Sequence, residues 1–252
     1  MLKNRIIPIL LLKHGRCVKG KQFSNYRDTG NPITAARVYD AQRVDELVFL
    51  DILASKEERA LLLDIVTETA EQCFMPLTIG GGLKTIEDIQ EVLAAGADKI
   101  SINTAAAENP QFIKNASSYY GSANIIVSID YKINSNNERE VYTHGGSNPT
   151  GLNALDWAKE VERLGAGEII LTSIDKEGFM QGYDIDFVRQ VCDSLNIPVI
   201  IHGGAGKMED FKLGIDVAKA SGAAAASIFH FTEQSPIKTR YFLNVHGVNV
   251  RK

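Results

Sequence analysis

The sequence predicts an α/β protein with the (β/α)8 barrel fold, formed as a single domain over residues 1–252. Eight short runs rich in Ile, Leu and Val alternate with eight segments of helical periodicity, and 252 residues suit eight such units. This alternation alone would also fit an open, doubly wound sheet. The second half of the chain repeats motifs of the first, which favours two stacked half-barrels and therefore the closed barrel.

Each apolar run is a predicted strand, because parallel strands buried on both faces are nearly continuous in apolar residues. The predicted strands are Arg5–Leu12, Glu46–Asp51, Pro76–Ile79, Lys99–Asn103, Asn124–Asp130, Glu168–Thr172, Pro198–Ile201 and Ala223–Ser227. The predicted helices are Ile33–Arg43, Lys56–Cys73, Thr85–Ala95, Pro110–Tyr119, Leu152–Leu164, Asp184–Leu195, Met208–Ala220 and Ser235–Leu243. No linker rich in Pro or Ser divides these units, so one domain is expected.

The internal repeat has an offset of about 120 residues. Three pairs of segments carry it: RIIPILLLK (Arg5–Lys13) with NIIVSIDYK (Asn124–Lys132), ELVFLD (Glu46–Asp51) with EIILTS (Glu168–Ser173), and IGGGLKTIED (Ile79–Asp88) with HGGAGKMED (His202–Asp210). The alternative is that any two strand–helix units look somewhat alike.

Composition and charge narrow the classes of function. The 27 Lys and Arg residues face 31 Asp and Glu, a net charge of −4 that lacks the basic surplus of nucleic-acid-binding proteins. The apolar run Ile6–Leu12 is too short to span a membrane and lacks a signal-peptide cleavage site. Cys17, Cys73 and Cys192 are far apart, which argues against disulfides and for a reducing compartment, so the cytoplasm is expected. The five histidines have no metal-ligand spacing, so neither a metal nor a cofactor is expected.

Two glycine-rich turns, each between a strand and a helix, are predicted phosphate sites, because glycine lets the backbone approach an anion closely. The site after strands seven and eight, which often binds phosphate in barrels, comprises Gly203, Gly204, Ala226 and Ser227. Its repeat partner comprises Gly81, Gly82, Asn103 and Thr104. Two sites at one mouth predict an elongated ligand with a phosphate at each end. The alternative is that the glycines only permit tight turns.

Charged residues open four of the predicted strands, at the N-terminal end of the barrel. They are Arg5, Glu46, Lys99 and Glu168. Charges at this end usually serve stability, so a ring of ion pairs closing the bottom is one interpretation. A gate for a small molecule would need the same residues, and the sequence leaves both interpretations open.

At the opposite end, Asp130 closes the fifth strand and is a candidate general acid or base. The alternative is an ion pair with a neighbouring lysine. The repeat counterpart of Asp130 is Leu11, which has no titratable proton. An acid/base pair related by the repeat is therefore incomplete in this chain.

Across nearly the whole chain, the sequence resembles the family of cyclase subunits of imidazole glycerol phosphate synthase. The segments that carry the resemblance include RIIP, DELVFLDI (Asp45–Ile52), GADKISINTAA (Gly96–Ala106), LGAGEIILTSID (Leu164–Asp175) and ASIFHF (Ala226–Phe231). The resemblance implies a barrel that pairs with a HisH-type glutaminase, receives ammonia at its base and passes it to a bisphosphorylated ribulosyl substrate. The implied reaction is the cyclase/lyase step of histidine biosynthesis.

The resemblance also implies roles for particular residues. The four strand-opening charges match the ammonia gate of the family, and Asp98 matches a position that faces the glutaminase. Asp130 matches one of two catalytic aspartates, and Lys19, on the first loop, joins it with Glu177 in the implied catalytic set. The predicted phosphate-binding residues also include Thr172 and Gly178.

Departures from the family cluster at the predicted mouth. Leu11 stands where the family has its other catalytic aspartate. Glu177 replaces an aspartate of the family. Phe179 replaces a small residue with a hydroxyl group, and His202 replaces a serine. Loss of an acid/base group typically costs about 10²- to 10⁴-fold in rate. Three hypotheses stay open: a working cyclase-lyase, a paralogue that supplies ammonia to a sugar amidotransferase making amidino sugars for surface polysaccharide, and a non-catalytic partner that activates a glutaminase.

Overall fold

The computed structural model describes residues 3–55, 57 and 63–251. Its strands are β1 (Arg5–Lys13), β2 (Arg16–Lys21), β3 (Ser24–Gly30), β4 (Leu47–Asp51), β5 (Leu77–Gly80), β6 (Lys99–Ile102), β7 (Ile125–Ile133), β8 (Arg139–Thr143), β9 (Asn148–Asn153), β10 (Glu168–Ser173), β11 (Val199–His202) and β12 (Gly222–Ala225). Its α-helices are α1 (Pro32–Ala41), α2 (Leu63–Gln72), α3 (Ile86–Ala94), α4 (Thr104–Glu108), α5 (Gln111–Tyr120), α6 (Ala154–Arg163), α7 (Ile185–Ser194), α8 (Met208–Asp216), α9 (Ser227–Phe231) and α10 (Pro236–Val245).

Eight parallel strands close into a barrel in the order β1–β4–β5–β6–β7–β10–β11–β12, and β12 pairs with β1. Helices connect these strands on the outside. The predicted (β/α)8 barrel is therefore confirmed, and the open sheet is excluded because a strand pairs on both sides of every barrel strand.

All eight predicted strands form, with ends that shift by a few residues. The predicted strand Ala223–Ser227 is wrong at its C-terminal end, because Ala226 is the N-cap of α9 and Ser227 begins that helix. Each predicted helix is also present, although Met208–Ala220 ends early, at Asp216. The predicted helix Lys56–Cys73 is seen from Leu63 onward, and Lys56 and residues 58–62 lie outside the described residues.

Two hairpin extensions were not predicted. Strand β1 continues into antiparallel β2 and β3, and β7 continues into antiparallel β8 and β9. The outer strands β3 and β9 are largely exposed and polar, so they lack the apolar run that signals a barrel strand. Strands β1 and β7 correspond to each other in the predicted sequence repeat. Each is followed by a pair of antiparallel strands, so the two halves of the chain also share this structural feature.

The barrel interior is apolar between its two ends. Successive strand residues point to opposite sides, so Arg5, Ile7, Ile9 and Leu11 of β1 share the inner face. The interior cluster is formed by Ile7, Ile9, Leu11, Val18, Val48, Ile126, Ile170, Ile200 and Ala224. A second, larger core lies between the outer faces of the strands and the helices. The charged and polar side chains that face the barrel interior thus lie at its two ends.

Among the residues that the structure describes, no helix is long and apolar enough to cross a bilayer.

Candidate functional site

The four charged residues that open barrel strands meet at the bottom of the barrel. Arg5 contacts both carboxylates: its Nη1 lies 2.8 Å from Glu46 Oε2, and its Nη2 pairs with Glu168 Oε1. Lys99 Nζ lies 3.2 Å from Glu46 Oε2 and 3.2 Å from Glu168 Oε2. The arrangement is a closed ring of alternating charge in which each cation contacts both anions. We call it the basal ring.

Burial and charge act against each other in the basal ring. Burial disfavours the charge of Arg5, but its hydrogen bonds to Glu168 and the charges of Glu168 and Glu46 outweigh this, so the pKa of Arg5 is raised. Thr78, which was not predicted, donates a hydrogen bond of 2.6 Å from its hydroxyl to Glu46 Oε1. Asp98 lies just before Lys99 and is exposed at this end of the barrel, where it accepts a hydrogen bond from the Leu77 N–H.

A cavity of about 260 Å³ opens at the opposite end, which we call the mouth. The predicted phosphate residues Gly81, Gly82, Asn103 and Thr104 line it. The other predicted site residues that line it are Leu11, Asp130, Thr172 and Glu177. One cavity therefore brings the first glycine turn together with the candidate acid/base residue.

Asp130 is held in the mouth by neutral hydrogen-bond donors. Asn103 Nδ2 donates to Asp130 Oδ2 at 3.1 Å, and Ser128 Oγ donates to Asp130 Oδ1 at 3.3 Å. Burial raises the pKa of Asp130 to about 6, although hydrogen bonds from Thr172 and Ser128 oppose the shift. Within the described part of the chain no lysine pairs with this carboxylate, so the alternative of an ion pair is wrong. A carboxyl group with a pKa near neutrality suits general acid/base catalysis.

Leu11 lies across the mouth from Asp130 in apolar surroundings. It pairs with Val18 on β2 and Leu50 on β4, and only 5% of it is exposed. In contrast to Asp130, Leu11 therefore belongs to the apolar interior cluster. Tyr26 also lines the mouth, and burial together with the charge of Asp130 raises its pKa to about 12.

The β2–β3 hairpin folds over the mouth and contacts the loop after β10. The Gln22 N–H donates to the Glu177 carbonyl at 3.0 Å. Lys19 Nζ forms an ion pair with Glu177 Oε1, and the two side chains are 1% and 4% exposed. Burial lowers the pKa of Lys19 to about 7. The two residues added to the catalytic set by resemblance thus contact each other.

His202 is buried at the end of β11. Its Nδ1 lies 3.2 Å from the Thr172 hydroxyl. Burial and the nearby charge of Lys19 lower the pKa of His202 to about 3. The imidazole is therefore neutral at physiological pH and offers the mouth no positive charge.

The second glycine turn does not line the main cavity. Gly178, Gly203, Gly204, Ala226 and Ser227 line a separate cavity of about 10 Å³, together with Glu177 and His202. Both predicted phosphate sites lie at the same end of the barrel, in two cavities that share Glu177 and His202.

Several site residues were missed from the sequence. Ser101, Ser128 and Tyr26 line the mouth, and Phe23 extends over it from the turn between β2 and β3. Strand alternation could have found the serines, because Ser101 lies two residues after Lys99 and Ser128 two residues before Asp130. Among the described residues, no group of three His, Cys, Asp or Glu side chains could hold a metal ion.

Comparisons with known proteins show the family of this chain. The family described as "Histidine biosynthesis protein" matches residues 5–235. The imidazole glycerol phosphate synthase subunit HisF of Pyrococcus furiosus is 51% identical over 255 aligned residues, which cover 100% of this chain and 99% of the relative. The match includes the basal ring and almost all of the barrel, so the chain belongs to the histidine biosynthesis family as a HisF-type barrel.

Proposed function

We propose that this chain is the ammonia-accepting subunit of a glutamine-dependent enzyme of the imidazole glycerol phosphate synthase type. A HisH-type glutaminase docks at the end of the barrel that carries Asp98. Ammonia passes the basal ring, moves through the apolar interior and reaches a phosphorylated small molecule at the mouth. The cytoplasm is the proposed location, and neither nucleic acid nor a membrane is a proposed partner.

The basal ring is the observation that carries this proposal. It is formed by four charges at one end of an otherwise apolar barrel, and Asp130 lies at the other end. Neutral ammonia can cross an apolar interior at far lower cost than ammonium, because burying a charge without a partner is expensive. The ring, the interior and the mouth therefore lie in the order that ammonia transfer needs.

We further propose that cyclisation of a bisphosphorylated ribulosyl substrate is impaired. Asp130 is available as one acid/base group, with Lys19 and Glu177 beside the mouth, but Leu11 supplies no second proton-transfer group. We expect at least a 100-fold lower rate with ammonium salt than that of the Pyrococcus furiosus HisF, in line with the usual cost of losing an acid/base group.

The experiment measures formation of imidazole glycerol phosphate at saturating ammonium by this chain and by its Leu11→Asp and Leu11→Asn variants. The two introduced side chains have nearly the same size, and only Asp titrates. We expect Leu11→Asp to exceed Leu11→Asn at least tenfold in kcat. If the unaltered chain is as fast as the relative, the proposed impairment is wrong.

A second candidate is a paralogue that supplies ammonia to a sugar amidotransferase in surface polysaccharide biosynthesis. One observation favours it: three of the four residues that depart from the family pattern, Leu11, Glu177 and His202, line the mouth, while the basal ring is complete. Ammonia delivery would then persist with a changed acceptor. The third hypothesis, a non-catalytic activator of a glutaminase, needs no gate.

Lys99→Ala in the complex with the glutaminase separates the third hypothesis from the other two. We expect this variant to lower the product formed per glutamine hydrolysed at least fivefold and to leave the ammonium-driven rate unchanged. The assay uses the ribulosyl substrate, and a sugar amidotransferase with its sugar as the alternative acceptor. An unchanged yield with both acceptors would favour the activator.

A further inference from the structure

Tyr26 brings a hydroxyl group to the side of the mouth that the apolar interior cluster forms. It lies on β3, where it is half-buried and its two neighbours in the chain are exposed. Its ring packs against the interior cluster to which Leu11 belongs. Among the described residues that belong to this cluster or pack against it, only Tyr26 has a polar side-chain atom at the mouth. The residues of this set that line the mouth are Leu11, Tyr26, Leu50 and Ile52.

The opposite side of the mouth is polar. Strand β7, which carries Asp130, lies four strands away from β1 in the closed barrel of eight strands. The polar residues that β6, β7 and β10 bring to the mouth are Ser101, Asn103, Ser128, Asp130 and Thr172. A ligand at the mouth therefore meets many polar groups on this side, and the Tyr26 hydroxyl on the side of the apolar cluster.

The Tyr26 hydroxyl is available to a ligand. Among the described residues, none forms a hydrogen bond with it, and Asp130 accepts from Asn103 and Ser128 instead. Burial and the charge of Asp130 raise the pKa of Tyr26 to about 12, so the phenol is protonated at physiological pH. A protonated phenol can donate one hydrogen bond. The mouth thus offers a neutral donor from Tyr26 and an acceptor from Asp130.

The contacts that position the Tyr26 side chain involve its ring. A Cβ added at Gly20, on the neighbouring strand β2, would lie 3.0 Å from Tyr26 Cδ1, so the ring lies against the backbone of Gly20. Lys13 Nζ lies 5.7 Å from the centroid of the same ring. A phenylalanine at this position would keep both contacts and lose only the hydroxyl.

The second half of the barrel contains a related lysine–tyrosine contact. Lys132 is the repeat partner of Lys13, and its Nζ lies 4.5 Å from the ring centroid of Tyr142 on β8. Tyr142 is half-buried on a hairpin, as Tyr26 is, but it is not among the residues that line the mouth. The two halves share the contact, and of these two tyrosines only Tyr26 brings its hydroxyl to the mouth.

We propose that Tyr26 is a further substrate-binding residue, whose hydroxyl donates a hydrogen bond to a keto or hydroxyl oxygen in the sugar part of the substrate. The inference rests on the proposed function for the presence of a phosphorylated ribulosyl substrate at the mouth. It adds what the side opposite Asp130 recognises. The aspartate that the family pattern has at position 11 would accept hydrogen bonds when ionised, whereas Leu11 can form none and Tyr26 donates one. This side of the mouth therefore selects a hydrogen-bond acceptor.

The test measures binding of the bisphosphorylated ribulosyl substrate by isothermal titration calorimetry, without ammonia or glutaminase. It compares the unaltered chain with Tyr26→Phe and with the matched control Tyr142→Phe. We expect Tyr26→Phe to raise the Kd at least about fivefold, because the substrate oxygen loses its donor in a confined site. We expect Tyr142→Phe to leave the Kd unchanged, because it removes a hydroxyl from outside the mouth.

The outcomes separate this inference from the proposed function. If the unaltered chain binds the substrate and Tyr26→Phe binds it equally well, the inference is wrong and the proposed function stands. The inference is also wrong if both tyrosine variants weaken binding to the same extent. If the unaltered chain does not bind the substrate, the proposed function fails, and the inference fails with it.

A crystal structure of the unaltered chain with the substrate tests the contact itself, and it does not depend on the folding of any variant. We expect Tyr26 Oη to lie within about 3.2 Å of a keto or hydroxyl oxygen of the sugar part. A hydroxyl that contacts only a phosphate oxygen, or no atom of the bound substrate, would overturn the inference.

Discussion

The carboxylate of Asp130 lies in surroundings that disfavour its charge, so its titration is linked to stability. Its folded-state pKa of about 6 is above the value of about 3.9 expected in the unfolded chain. Between about pH 4 and pH 6 the folded state binds more protons, and stability therefore falls as the pH rises through this window. Above pH 6 the full cost of the buried charge remains.

We therefore expect Asp130→Asn to stabilise the fold at pH 8 by about 2 kcal/mol, allowing for the partial exposure of the side chain to the mouth. The gain should decline toward pH 4, where the aspartate is protonated in the folded state and about half protonated in the unfolded state. Urea unfolding at pH 4, 6 and 8 measures it, with the exposed Asp156→Asn as the control for loss of a carboxylate. A gain that is equal at all three pH values would contradict the predicted burial cost.

His202 and Leu11 show how a single side chain changes the chemistry of a repeated framework. Leu11 is the repeat partner of Asp130, and both positions point into the barrel from the ends of long strands. The partner of His202 at the end of β5 is Gly80. The internal sequence repeat identified the pair of Leu11 and Asp130, because the predicted strands that contain these two residues align with each other. It did not reveal that His202 lies between two cavities, where its Nδ1 contacts the Thr172 hydroxyl, because that placement depends on the tertiary structure.

The β2–β3 hairpin is held over the mouth by a small number of contacts with the loop after β10. Besides the Lys19–Glu177 ion pair, Gln22 Nε2 donates to the Asp175 carbonyl at 3.1 Å. Gly178 lies directly against the hairpin, and a Cβ added there would be 2.4 Å from the Gly20 carbonyl oxygen. The close approach of these two backbone segments thus requires glycine at position 178.

We expect Gly178→Ala to displace the hairpin from the mouth. The new methyl group would overlap with the Gly20 carbonyl, and φ of 81° adds about 1 kcal/mol of left-handed strain. Hydrogen–deuterium exchange should rise across residues 16–30 and not in the barrel strands. Gly247→Ala is the matched control, because φ is 79° there and no atom lies within 4 Å of the added Cβ. If both variants leave exchange in the hairpin unchanged, the contact does not hold it.

Strands and helices of the barrel could be predicted from periodicity, because burial on both faces gives each strand a continuous apolar run. The hairpins could not, since SNYRDTG and NPTGLN face solvent and carry no such signal. The Lys19–Glu177 pair was also beyond pattern reasoning as a contact, because it joins strand β2 to the loop after β10, which is far away in sequence. Local sequence therefore predicted the barrel well, and the cover over its mouth poorly.

The basal ring joins the two halves of the whole barrel at their shared floor. Glu46 and Lys99 belong to the first half and Glu168 to the second, and Arg5 bridges Glu46 and Glu168. The sequence predicted that these charges would meet, because each opens a strand at the same end of a parallel barrel. Thr78 was missed because a threonine in a strand carries no distinctive signal, yet its hydroxyl fixes Glu46.

The basal ring could stabilise the fold through the neutrality of the whole ring or only through its individual ion pairs. Stability measurements on variants distinguish these two effects. The carboxylates are 2% and 6% exposed and the cations 23%, so the loss of one cation leaves a buried negative charge without compensation. We expect Lys99→Ala to lower the free energy of unfolding by about 2 kcal/mol, somewhat below the cost of breaking a fully buried pair.

The double variant Lys99→Ala with Glu46→Gln restores neutrality. It keeps the contacts of Arg5 with Glu168, and the amide oxygen introduced by Glu46→Gln can still accept the hydrogen bond from Thr78. We expect the double variant to recover at least half of the lost stability, measured by urea unfolding at pH 7.5. If it is no more stable than Lys99→Ala alone, the ring acts through its individual contacts and not through charge balance. In that case the four charges would stabilise the bottom of the barrel only as separate ion pairs, and the neutrality of the whole ring would add nothing to the free energy of unfolding.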